Sequence, residues 1–229
     1  MGARPRPRLI TALAGYASDC QQTTLDNYLG SGFACGISDQ TYGSFNYSGS
    51  SSLPGYGMPA GSVTVTPITT PGNQGLQFGA GWSASTAIGI QEENSLFQFA
   101  VTSSSPITDL SLSIAGVGFT GTGAINVDET AWLGAMLPAC SSGAVVTLSV
   151  FDSSAGQQLY DQANFSGVSL VDVVKNLIVQ AGTNGSAEVS VVREQFSEGS
   201  SRVPEPGTIS MFGIGIVAIT GFARRKLGL

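Results

Sequence analysis

Histidine is absent from this chain of 229 residues, and lysine and arginine together number nine. Without imidazole, a serine nucleophile lacks its usual base, and the common zinc ligand sets are gone. Cysteine is scarce too: Cys20, Cys35 and Cys140 are the only three, and no CxxC pair exists. Charged residues make up 10% of the chain, against about 25% in an ordinary soluble domain. Gly, at 31 residues, is abundant instead. Each Gly costs about 1 kcal/mol in a helix interior relative to Ala, so the composition argues for strands and turns and against long helices. Hydrophobic residues reach 42%, enough for a real core in one β-rich domain with appendages.

Positive charge is missing from the middle. Arg4, Arg6, Arg8, Arg224, Arg225 and Lys226 sit at the ends, leaving only Lys175, Arg193 and Arg202 between Asp19 and Glu205. All fifteen acids lie in that interval, three bases against fifteen acids, a formal −12. An acidic body repels phosphate backbones, which excludes a nucleic-acid partner. The basic ends read as membrane-topology signals.

From about Gly36 to Phe196 the period is two. Val63 and Val65 alternate with Thr64 and Thr66; Leu110, Leu112 and Ile114 alternate with Ser111 and Ser113; Phe97, Phe99 and Val101 share a face. Such short alternating runs predict half-buried antiparallel strands. Turn signals separate them: "LPGYG", "TPGNQG", "SSSP", "SSAGQ" and "GTNGS". The expected fold is mostly β, a single antiparallel β-sandwich of jelly-roll type over 19–196. Leu110, Leu112 and Ile114 are expected to be buried, with Ser111 and Ser113 exposed. "SLVDVVKNLIVQ" places Leu170, Val173, Val174, Leu177 and Ile178 at helical spacing, but its β-branched residues favour a strand. "TTLDNYLG" has room for one or two helical turns.

Residues 1–18 read as a basic tail or the remnant of a signal peptide, with Leu9 to Ala14 as a weak apolar run and a true start further upstream in view. For an exported chain, a Cys20–Cys35 disulfide is favoured over other pairings or free thiols, with Cys140 left over.

Motifs for chemistry are few. "GVGFTG" (Gly116, Gly118, Gly121) fits a dinucleotide fingerprint, but no helical period follows, so it reads as a glycine-rich turn. Lys175, the body's only lysine, has no Ser-x-x-Lys spacing before it. The carboxylate pairs Glu92–Glu93, Asp128–Glu129 and Asp152 with Asp161 read as solvated acids in turns. No cofactor is implied; loop carboxylates offer at most a structural calcium, without a D-x-D-x-D-G loop. Trp82, Trp132, Tyr42, Tyr47 and Tyr56 either stack on sugars or fill the core. Asn46, Asn164 and Asn184 begin N-x-S triplets, common by chance in a Ser-rich chain.

After a polar linker at 197–203, the segment 204–229 differs from everything before it. Val203, Pro204, Glu205 and Pro206 lead into Gly207 to Ala223, which carry no charge, and then Arg224, Arg225 and Lys226. About seventeen residues at ~1.5 Å each give roughly 25 Å, at the short end for a membrane helix. The basic cluster fits a cytoplasmic stop with the body outside. This order resembles the PEP-CTERM sorting signal of Gram-negative bacteria. The resemblance implies an exosortase partner that recognises Pro204-Glu205-Pro206, transit through the inner membrane, and a final place at the cell surface or in an exopolysaccharide matrix or biofilm. The expected role is non-enzymatic. A carbohydrate-binding module is the second reading and a secreted hydrolase the third.

Overall fold

The computed structural model describes residues 18–134 and 144–199. The chain divides into two units, 1–198 and 199–229. The sorting segment, Cys140 and the amino-terminal basic stretch lie outside the described residues. Among the described residues no helix is long and apolar enough to cross a membrane. The expected span Gly207 to Ala223 falls outside them.

The body is mostly antiparallel sheet. Its strands in chain order are β1 (Ser18–Asp19), β2 (Thr23–Thr24), β3 (Ala34–Ile37), β4 (Gln40–Ser51), β5 (Thr64–Thr70), β6 (Asn73–Ser85) and β7 (Glu92–Ala115), then β8 (Gly118–Thr120), β9 (Ala124–Leu133), β10 (Ala144–Ser153), β11 (Gly156–Gln158), β12 (Tyr160–Gln180) and β13 (Ser186–Glu198). "SLVDVVKNLIVQ" lies in β12, and "TTLDNYLG" contains a single 3₁₀ turn, Leu25–Asn27.

One hydrogen-bonded sheet runs β11-β10-β9-β12-β7-β13-β6-β5-β2. The expected set of short separate strands is corrected here. β7 is 24 residues long and pairs with the 21-residue β12 along nearly its whole length. "SSSP", read as a turn, lies inside β7. The two halves of β7 have different outer neighbours. Its first half pairs with β4, while Ile107 to Ala115 pair with β13. Register shifts between Asn164 and Leu170 mark the bend in β12. There Gly167 passes Pro106 so closely that a Cβ would sit 2.7 Å from the proline Cβ. Bulges at such points bend a strand without ending it.

Bending brings the two arms of the sheet face to face. Phe78 of β6 meets Phe97 of β7 with ring centroids 4.9 Å apart, and Trp82 Nε1 donates to Ser95 Oγ at 3.0 Å. Val63, Val65, Phe97, Phe99, Val101, Leu110, Leu112 and Ile114 are all buried, as their alternation predicts. Ser113 is half-buried, but Ser111 is only 7% exposed, contrary to expectation. It sits on a central strand, opposite Gln162 on one side and Gln195 on the other, and these longer neighbours shade it.

Cys20 and Cys35 form a disulfide across 15 residues. The closed loop carries Tyr28, whose ring packs on Phe33 and Phe45. Closure of a loop this long stabilises the fold by about 3 kcal/mol, through the lost freedom of the unfolded chain. Denaturant titration with and without reductant is expected to show that difference; coincident curves would remove the disulfide from the stability of this fold.

Candidate functional site

Three strands each place one ionisable residue where alternation calls for an apolar one. In β9 the inward positions run Ile125, Val127, Glu129, Ala131; in β12, Val173, Lys175, Leu177; in β13, Val192, Glu194, Phe196. Antiparallel register sets Lys175 directly opposite Glu129. The opposing arm brings Glu194. Lys175 Nζ lies 3.0 Å from Glu129 Oε2 and is hydrogen-bonded to Glu194 Oε2, and all three side chains are fully buried. The Phe78 and Phe99 rings wall the amine at 5.7 and 5.9 Å from their centroids. Gly75 of β6 keeps the approach tight: a Cβ there would lie 1.9 Å from the Glu194 carbonyl oxygen.

Removing ions from water costs several kcal/mol each, so two carboxylates and one ammonium cannot all stay charged at leisure. Burial, then the charge of Glu129, pushes the Glu194 carboxyl well above its usual range, against the pull of Lys175. Burial works against the charged form of Lys175, but Glu129 and Glu194 outweigh it and raise its affinity for the proton. The neutral arrangement is therefore an ammonium, one carboxylate and one protonated carboxyl. Glu129 Oε1 and Glu194 Oε1 have no hydrogen-bond partner among the described residues.

Next to this cluster runs a second buried polar chain. The Tyr42 hydroxyl donates to Gln40 Oε1 at 2.5 Å, and Gln40 Nε2 donates to Gln74 Oε1 and to the Phe196 carbonyl, both at 3.3 Å. Burial, then Glu194, raises the Tyr42 hydroxyl well above its ordinary value. Burial alone pushes Tyr28 up to about 12, and its hydroxyl donates to the Gln21 carbonyl at 2.7 Å. Both shifts are upward, so their stabilising contribution is complete below the unfolded value near 10. It is lost as pH rises from there, for Tyr28 through about 12. Denaturant titrations at about pH 8 and about pH 11 are expected to show weaker folding at the higher pH, with Tyr28→Phe narrowing the gap.

The acids nominated from sequence lie in strands and not in turns; Asp128 is exposed, and Glu92 and Asp161 are half-buried. Glu92 and Glu93 lie in β7, Asp128 and Glu129 in β9, Asp152 in β10 and Asp161 in β12. Glu93, Glu129 and Asp152 are buried, because each falls on the inward phase of its strand. Glu93 accepts from the Ser83 amide at 2.7 Å, and Asp152 from Gln157 Nε2 at 3.1 Å. None of the nominated pairs converges on a cleft. Two surface cavities of about 390 and 280 Å³ contain Asp19 and Glu188, respectively, as their sole carboxylates. Among the described residues no group of acids and cysteines is arranged to hold a metal.

Of the aromatic candidates, Trp82 and Tyr42 are buried, Tyr47 and Trp132 half-buried, and Tyr56 is 61% exposed. "GVGFTG" is a turn into β8, with positive φ at Gly116 and Gly121. Asn46, Asn164 and Asn184 are exposed. Val203, Pro204, Glu205, Pro206, Gly207, Ala223, Arg224, Arg225 and Lys226 fall outside the described residues. Sequence reasoning missed the Lys175 cluster, although its signal was present: the body's only lysine and two acids, each in phase with an apolar face.

No curated protein sequence matches the chain. Among solved structures it is similar to TmCBM61 in complex with beta-1,4-galactotriose, at 8% identity, with 65% of this chain and 86% of that chain covered and a TM-score of 0.30. It is also similar to the enzymatically active domain of bacteriophage CBA120 tailspike protein 4, at 14% identity, covering 69% of this chain and 19% of that chain, with a TM-score of 0.25. Residues 202–226 match the PEP-CTERM protein-sorting motif, at the segment singled out in the sequence, and the chain therefore carries this sorting motif.

Proposed function

We propose that this is an exported, non-enzymatic surface or extracellular-matrix protein, sorted and processed by an exosortase through its carboxy-terminal segment. The observation that carries this reading is the sorting motif at 202–226. The body fits it: a β domain, read here as a jelly-roll-like sandwich, with a disulfide suited to an oxidising compartment. The Lys175 cluster is sealed from solvent, so it offers no site to an outside substrate. In this reading Gly207 to Ala223 hold the chain in the inner membrane, and Arg224, Arg225 and Lys226 stop it there. The prolines keep Pro204-Glu205-Pro206 extended and free of helical hydrogen bonds, open to a membrane-embedded protease. Release then delivers the body to the surface, within the exopolysaccharide.

The test is the intact mass of surface-extracted protein from hosts with and without a matching exosortase. The expected mature form lacks Gly207 to Leu229 only where the exosortase is present, and Glu205→Ala leaves a longer, membrane-retained form. Identical full-length, membrane-bound chains from both hosts would make the tail an ordinary anchor.

A further inference from the structure

The Lys175 cluster holds the reactants for a bond. An amine on β12 and a carboxyl on β13 are in hydrogen-bond contact across the two arms of the sheet. A second carboxyl, Glu129, sits on the other side of the same amine at 3.0 Å. Aromatic walls exclude water, and all three groups are fully buried. We propose that Lys175 and Glu194 condense into a side-chain amide, with Glu129 as the group that carries the proton.

The step balances within the cluster. The Lys175 ammonium hands a proton to the Glu129 carboxylate and becomes a free amine. Its Nζ lone pair attacks Cδ of the protonated Glu194 carboxyl, forming the N–C bond and a tetrahedral centre. Glu129 then takes a second proton from nitrogen while returning one to the departing hydroxyl. The Cδ–O bond breaks and one water leaves. An ammonium, a carboxylate and a carboxylic acid thus become an amide, a neutral Glu129 acid and water, with charge and atoms conserved. No oxidant, metal or co-reactant is used.

In water this condensation is opposed by the hydration of both ions and by the solvent itself. Here each opposing factor is weakened. Burial disfavours the ions by several kcal/mol each, so their loss is favourable. Holding the two groups in contact supplies an effective concentration on the order of 10⁵ M or more. The Glu194 carboxyl is biased to its protonated, electrophilic form by burial and by Glu129. The product also eases an anomaly of the reactant state: one of the two Glu194 carboxyl oxygens leaves as water, where one of them has no hydrogen-bond partner among the described residues, and no ion is left in this cluster afterwards. The bond would tie β12 to β13 across 19 residues, closing the fold by a route independent of the disulfide.

The measurement is the mass of the full chain under denaturing, reducing conditions, followed by proteolysis. The expected mass is one water below the sum of the residues, with one peptide pair joined through Lys175 and Glu194. Lys175→Met and Glu129→Gln are each expected to restore the full mass. A wild-type chain of full mass, with Lys175 open to acylation once unfolded, overturns the proposal, and that result does not depend on whether any variant folds. A water loss located elsewhere in the digest overturns it equally. Persistence of the joined peptide in Glu129→Gln would remove Glu129 from the step.

Discussion

Lys175→Met is expected to destabilise the fold by about 3–5 kcal/mol at neutral pH, the usual loss when one partner of a buried ion pair is removed. The substitution keeps most of the side-chain volume, so a cavity is not the cause. What changes is that Glu129 and Glu194 face each other in a sealed core without a cation. The Glu194 carboxyl, already raised by burial and by Glu129, loses the opposing pull of Lys175 and is driven further toward its protonated form. An acid whose folded pKa is raised contributes stability that is complete below its unfolded value, near 4.5, and is lost as pH rises through the folded one. The variant is therefore expected to recover part of its loss at mildly acid pH, the reverse of ordinary surface carboxylates. Chemical denaturation of both chains at acid and neutral pH measures this. Equal losses at both would mean that packing, not charge, is what Lys175 supplies. Lys175→Met combined with Glu129→Leu and Glu194→Leu tests the same point from the other side. Buried ionic triads replaced by apolar residues of similar volume are often neutral or more stable. The triple variant is expected to regain the electrostatic part of the loss, while the contribution of a covalent link stays lost. The two parts are thereby separated.

The route from sequence to this core was partly open. Period two marked Phe97, Phe99, Val101, Leu110, Leu112 and Ile114 as inward positions, and all are buried. A sequence separation of 15 between Cys20 and Cys35 across a Gly-rich loop was enough to favour their pairing. The sorting segment was readable because its information is linear: a tripeptide, an apolar run and a basic end, in order. The Lys175 cluster is of another kind. Each of its members breaks the alternation of its own strand, and that much is visible in the sequence. That the three breaks meet depends on β9 pairing with β12 and on the opposing arm folding over them. Register and bending set that meeting, and both are long-range properties. "SSSP" shows the same limit: local turn chemistry suggested an end, but pairing with β12 carries β7 through it.

Leu112→Ala is expected to cost about 2–5 kcal/mol, the range for truncating a fully enclosed aliphatic side chain, with the spread set by how far the site can collapse. Collapse is hard here. Leu112 lies on the central strand β7, paired with Asp161 on one side and Glu194 on the other. A void at that point loosens the packing around Glu194 as well as removing apolar contact. Ser111 is the control one residue away. It too is buried, but on the opposite face, between Gln162 and Gln195 and not among apolar side chains. Removing its hydroxyl leaves no cavity of consequence, and Ser111→Ala is expected to cost less than about 1 kcal/mol. Denaturant titration of the two variants beside the wild type decides between them. Comparable losses would mean that the second face of β7 is a core in its own right. A loss confined to Leu112 means that the arms of the sheet enclose one core, with the charged cluster as part of its packing.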